Sequence, residues 1–258
     1  MQGDGNISRR NRRHTVAADT LSEKYFPGIR KTVFAYLCDE DRVRAHFVCS
    51  CWAKELPLPL MQEGDPLYRS CMEMFAILVR TKSAHCTRLA TYAGRLDMLR
   101  YAHENGCPWH EITTYVVAGN GHLDCLRYVH KNGCPWNDVT TYVAAANGHL
   151  DCLRYAHENG CPWDGATTCA AAANGHLDCL RYVHENGCPW NKSTTWMAAA
   201  YGHLSCLRYA HENGCPWHKM ATWSAADNGH FECLRYAHEN KCPSSQFPML
   251  YLKCSLFD

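Results

Sequence analysis

Between residues 83 and 241 the apolar and polar positions recur every 27 residues. Cys-Pro-Trp begins at Cys107, Cys134, Cys161, Cys188 and Cys215, and Cys242-Pro243 stands one step further on. Gly-His begins at Gly121, Gly148, Gly175, Gly202 and Gly229, with Gly94-Arg95 one step earlier. Six copies of one unit therefore fill the segment without insertion, and a strict period of roughly 20–50 residues marks a solenoid or array. In the copy 164–190, Asp164 stands where a helix N-cap belongs, as do Asn137 and Asn191 in theirs. Ala170 to Ala173 follow with high helix propensity, and Asn174-Gly175 breaks the helix. Leu177, Cys179, Leu180, Tyr182 and Val183 then recur at helical spacing. Gly187 suits a left-handed C-cap and Pro189 prevents continuation. Each copy thus predicts a hairpin of two helices of roughly ten residues, about 15 Å each. Helices so short need neighbours, so stability must come from hairpin stacking on hairpin. Cys71 lies two periods before Cys125, which predicts a degenerate capping unit over 59–82. Residues 242–258 are expected to cap the other end.

The unit resembles the ankyrin repeat. Thr140-Thr141, the paired Ala144-Ala145, the turn Gly148-His149-Leu150-Asp151 and the ending Asn159-Gly160-Cys161 match that family's pattern, copy after copy. The family unit has 33 residues; six are missing here after the second helix, where the family makes a protruding hairpin. Turns with little or no strand are expected in its place. Such short Cys-Pro-Trp units look like those of ankyrin proteins in giant DNA viruses and some protists.

Most repeated residues read as scaffold. The two cysteine series, Cys125 to Cys233 and Cys107 to Cys242, invite zinc. Met98 nevertheless holds the first place in one copy, no C-x-x-C pair occurs in the array, and a thiol packs as a small hydrophobe. Neither a metal nor a cofactor is expected, and no disulfides. The Gly-His histidines are expected to form a structural ladder, Arg127-Tyr128 and Arg154-Tyr155 to begin another with arginine stems over tyrosine rings, and the tryptophans to pack between copies. Variation is confined to few places. After Cys-Pro-Trp stand His110-Glu111, Asn137-Asp138, Asp164, Asn191-Lys192 and His218-Lys219; in the first helix, Tyr115, Tyr142, Cys169, Trp196 and Trp223. Variable side chains on a fixed scaffold make a binding surface. With Cys169 left out, these residues are the candidate target-binding set.

Residues 23–58 lack the period. Ile29, Val33, Phe34 and Leu37 form one helical stripe, and Val43, Phe47, Val48, Cys51 and Trp52 another, separated by Asp39-Glu40-Asp41. Two such helices need each other, the array or a partner to cover their faces. The stretch resembles an F-box: Phe26-Pro27 opens it, Val33-Phe34-Ala35-Tyr36-Leu37 closes the first helix, and Val48-Cys49-Ser50-Cys51-Trp52 ends it. It departs from that family at Phe26, where leucine is usual, and at Arg42, where an aliphatic residue is usual. The resemblance implies docking to the Skp-type adaptor of a cullin-RING ubiquitin ligase through Pro27, Ile29, Val33, Phe34, Leu37, Val48 and Trp52, whose apolar faces would fill a groove. Residues 1–22, with Arg9, Arg10, Arg12 and Arg13, read as a solvated basic tail or a nuclear import signal.

Composition narrows the class. The net charge of +1 disfavours nucleic acid as the main partner. No apolar run is long enough to cross a membrane, and no apolar stretch follows the basic N-terminus as in a secretory signal. No phosphate loop, metalloprotease motif or nucleophile elbow occurs, so no enzymatic activity is expected. The expected protein is all-α: an ankyrin-like α-solenoid of helical hairpins with a small F-box-like segment, monomeric outside its complex. It is expected to work inside a cell, in cytoplasm or nucleus, as a substrate receptor that joins a target protein to the adaptor. A plain scaffold that binds or sequesters a partner is the alternative.

Overall fold

The computed structural model describes residues 75–243 except 77, 78, 81, 83 and 138. The expected tail 1–22, the F-box-like segment 23–58, most of the capping unit 59–82 and nearly all of 242–258 lie outside the described residues. The chain divides into two units, Met1–His110 and Glu111–Asp258.

The first unit contains α1 (Ala84–Ala93) and α2 (Leu96–Glu104), packed on each other. Leu99 and Ala102 are fully buried, and Phe75 and Val79 are buried too. The Thr87 hydroxyl lies 2.9 Å from the carbonyl oxygens of both Ala84 and Pro108, tying the helix start to the Cys-Pro turn. Arg95 pairs with Asp97 at 2.6 Å.

The second unit is five hairpins: α3 (Thr113–Gly119) with α4 (Leu123–Lys131), α5 (Thr140–Ala146) with α6 (Leu150–Glu158), α7 (Gly165–Ala173) with α8 (Leu177–Glu185), α9 (Thr194–Ala200) with α10 (Leu204–Glu212), and α11 (Ala221–Asp227) with α12 (Phe231–Glu239). First helices stack on first helices and second helices on second helices. No strand occurs among the described residues. The helices run seven to nine residues here, shorter than expected.

Both helices of a hairpin end the same way. After α4, the Gly133 N–H donates to the His130 carbonyl (3.1 Å) and the Cys134 N–H to the Val129 carbonyl (3.0 Å). After α3, Gly121 donates to Ala118 and His122 to Val117. These are Schellman closures, which satisfy the last carbonyls and set an apolar contact between the residue after the glycine and the helix. That contact explains the second cysteine series: Cys134 and Val129 are both buried.

The core is built from small groups. Leu126, Leu153, Leu180, Leu207 and Leu234 are fully buried on the second helices, each worth about 1.5–3 kcal/mol of burial. On the first helices the threonine and alanine pairs are buried, so backbones approach closely. Several threonine hydroxyls are satisfied across copies, Thr141 donating to the Pro162 carbonyl at 2.8 Å and Thr195 to Pro216 at 3.1 Å, whereas the buried Thr222 hydroxyl has no hydrogen-bond partner.

One expectation needs correction. Asp164 caps its helix, its carboxylate accepting from the Ala166 N–H at 2.9 Å. Asn137 and Asn191 accept from Val139 and Ser193 in the same way, at 3.0 and 2.8 Å, but α5 and α9 start only at Thr140 and Thr194. The early start of α7 brings Gly165 against the next copy. A Cβ there would stand 3.3 Å from the Pro189 carbonyl oxygen, and Glu111, Lys192 and Lys219, at this place in other copies, lie in turns.

Candidate protein-binding surface

Ladders of side chains fix one copy on the next. The Gly-His pair makes the tightest: a Cβ on Gly121, Gly148, Gly175 or Gly202 would lie 2.6 Å from Nδ1 of the next copy's histidine, so each imidazole rests on a bare glycine backbone. At the other end of the second helix, His130 stacks on Trp136 with ring centroids 4.5 Å apart and pairs through Nδ1 with the Tyr155 hydroxyl of the next copy at 3.0 Å. Arg127 lies over that same ring at 5.8 Å, and the Trp136 indole N–H donates to the Asn159 carbonyl at 3.0 Å. The His–Tyr pair recurs through His157–Tyr182, His184–Tyr209 and His211–Tyr236. Burial lowers the His157 and His203 pKa values, and neighbouring His176 and His230 lower His203 further. Burial raises those of Tyr155, Tyr182, Tyr209 and Tyr236. The structural readings of the histidine, tyrosine and tryptophan series agree with this geometry.

The cysteines form part of the core. Both series are buried thiols, and burial pushes Cys134 and Cys152 up to about 12 and Cys179 and Cys206 up to about 11. A thiol held that far up is neither a ready nucleophile nor a ready ligand. Among the described residues no three His, Cys, Asp or Glu side chains converge on a common point. No described helix is long and apolar enough to cross a membrane.

The variable positions divide into three groups. Asn137, Asp164, Asn191 and His218 spend their side chains on their own turns, each accepting from the N–H two residues on. Glu111, Lys192 and Lys219 are exposed, and His110, in the first unit, is half-buried. On the first helices Tyr115 and Trp196 are half-buried, while Tyr142 and Trp223 are 42% and 40% exposed. Asp138 and the adaptor set Pro27, Ile29, Val33, Phe34, Leu37, Val48 and Trp52 lie outside the described residues.

Between α5, α7 and α9 the surface sinks into a hollow of about 710 Å³, lined by Tyr142, Ala166, Cys169, Ala170, Ala173, Asn174, Asn191, Ser193, Met197, Tyr201 and His203. In its lining, Cys169 stands where the other copies of this unit carry tyrosine or tryptophan, and Trp196 does not fill the space. Its neighbour in that column, Trp196, leans the other way: its indole N–H donates to Ser224 Oγ at 2.7 Å and its ring stacks on His218 at 5.2 Å. Met197 and Tyr201 were missed by sequence reasoning. Tyr201 is 60% exposed and occupies a place where Asn120, Asn147, Asn174 and Asn228 stand in the other copies, a signal already visible in the aligned copies.

Residues 114–194 match the family model described as ankyrin repeats, in three copies. The similarity to ankyrin repeats covers that segment of the array. Ankyrin repeats are protein-binding scaffolds. Among solved structures, the crystal structure of the human ASB11 ankyrin repeat domain is similar at 20% identity and a TM-score of 0.43, covering 49% of this chain and 68% of that one. No curated protein matches the chain.

Proposed function

We propose that the chain is a substrate receptor: the array holds a target protein, and residues 23–58 dock on a Skp-type adaptor of a cullin-RING ubiquitin ligase. The observation that carries the target half is the contrast between ladders repeated from copy to copy and the differing, outward-facing side chains of Glu111, Tyr142, Lys192, Lys219 and Trp223. Tyr115, Trp196, His110 and Asp138 complete that set, with Asn137, Asp164, Asn191 and His218 shaping the turns that present it. The adaptor half rests on the F-box-like run from Pro27 to Trp52. Buried thiols suit a reducing compartment, hence cytoplasm or nucleus.

The test is adaptor binding by the full chain and by its Phe34→Ala/Leu37→Ala variant. The wild type should bind, and the variant should lose binding at least about tenfold, since truncated anchors commonly cost 2 kcal/mol or more. The array's melting temperature should not move. Equal binding by wild type and variant, or no binding by either, replaces this reading with the plain scaffold.

A further inference from the structure

We propose that the hollow beside Cys169 is the anchor subsite of the array. It takes a large apolar or aromatic side chain from a protein segment whose charge runs from basic at one end to acidic at the other. This rests on the reading of the array as protein-binding.

Four departures from the repeat converge on this one place. Cys169 replaces an aromatic ring, Ala170 replaces the valine of Val116 and Val143, Met197 stands in that same column, and Tyr201 replaces asparagine. They come from two neighbouring copies, yet all four line one hollow. Packing does not require them, since the other copies stack without them. The floor of alanine, thiol and thioether is apolar and adaptable, and Tyr142 and Tyr201 stand exposed at its margins.

Charge identifies the class of occupant. Exposed Glu111 and Asp164 stand on the turns up to this point, exposed Lys192 and Lys219 on the turns beyond it. Asp164 and Lys192 flank the hollow directly, next to its lining residues Ala166, Asn191 and Ser193. The one opposed charge on these first helices, Asp227, sits at the far end of α11 from Lys219. From the turn of Glu111 to that of Lys219 is four copies, roughly 30–40 Å at 8–10 Å per packed helix. That span exceeds a small molecule and suits about 12 extended residues. Charges of both signs do not suit a phosphate backbone.

The test selects 12-residue random peptides on the full chain, then measures the enriched synthetic peptides by fluorescence anisotropy. Enriched peptides should carry Trp, Phe or Leu between a basic and an acidic half. Cys169→Tyr restores the ring that other copies carry; it should keep the melting temperature and weaken these peptides at least about tenfold. Lys192→Glu with Lys219→Glu should weaken them about as much. In the wild type, bound peptide should protect Cys169 from iodoacetamide, read by mass spectrometry of that tryptic peptide. Peptides that bind Cys169→Tyr as well as wild type, without protecting Cys169, overturn the subsite and leave the protein-binding reading standing. Failure to select any binding peptide removes both. A single-stranded oligonucleotide that outcompetes the peptides overturns the class of partner.

Discussion

Replacing Gly175 by alanine probes the glycine–histidine ladder. Gly175 follows α7 with φ +76°, and an added Cβ would stand 2.6 Å from Nδ1 and 2.8 Å from Cε1 of His203 in the next copy. Two costs therefore combine. Left-handed backbone costs alanine roughly 1–2 kcal/mol, offset by about 0.4–1 kcal/mol because alanine restricts the unfolded chain. The imidazole must also retreat until ordinary contact, 3.4–4 Å, is regained. Its backbone has little freedom to follow, since the His203 N–H is bonded to the Ala198 carbonyl at 2.8 Å. Overpacking of this kind costs about 1–3 kcal/mol. Gly187 separates the two costs: its φ is +86°, but nothing lies within 4 Å of the added Cβ. Gly187→Ala should cost about 1 kcal/mol net and Gly175→Ala about 2–4 kcal/mol, read as urea midpoints by far-UV circular dichroism. Adding His203→Ala to Gly175→Ala should recover part of the loss, a coupling of about 1–3 kcal/mol. Equal midpoints for the two single variants would refute the contact between copies.

Four further outcomes are expected. Leu180→Ala, at a fully buried mid-array position, should cost about 2–5 kcal/mol and uncouple the flanking hairpins; a midpoint equal to wild type would mean the register is wrong. Because burial holds His157 and His203 below the ordinary histidine value, the unfolded chain binds more protons. Their contribution is complete above about pH 6.5 and lost as pH falls through their lower folded values, so the melting temperature should drop between neutral and mildly acid pH. The buried thiols titrate near 11–12 when folded, so their stabilisation holds below the ordinary thiol value of about 8.5 and erodes as pH rises beyond it. A chelator should leave helicity unchanged, whereas loss of helix on chelation would reveal structural zinc, whose binding energy is folding energy.

The fold was largely legible because a repeat states the same answer many times. The 27-residue period, Gly-His and Asn-Gly-Cys-Pro each mark a chain break, and the structure resolves them into two Schellman closures per hairpin. Burial of Leu180 and Cys179 followed from helical spacing, and that of the Cys-Pro-Trp cysteines from thiol chemistry and the lack of metal-ligand spacing. The helix starts were less legible, because Asn137 and Asp164 make the same side-chain turn while the backbone that follows diverges at Gly165. The hollow was least legible. Its lining comes from three successive hairpins, and Trp196 turns toward Ser224 and His218 and does not fill the space. No single copy contains that information.

Stacking also explains where recognition has room to vary. A residue in a ladder answers to two copies at once: His203 must fit Gly175 behind it, and Gly202 must admit His230 ahead. A change at such a place is penalised twice, so the position stays the same along the array. On the first helices Tyr142 and Trp223 face outward, outside those ladders. A change there costs little unless something outside binds it. Tyr201 sharpens the point. An exposed tyrosine in a column of asparagines gives up the side-chain bond that Asn174 makes to the Ala170 carbonyl at 3.0 Å and that Asn228 makes to Ser224 at 2.9 Å. The Tyr201 ring instead lines the hollow beside Cys169, the surface that the peptide selection probes.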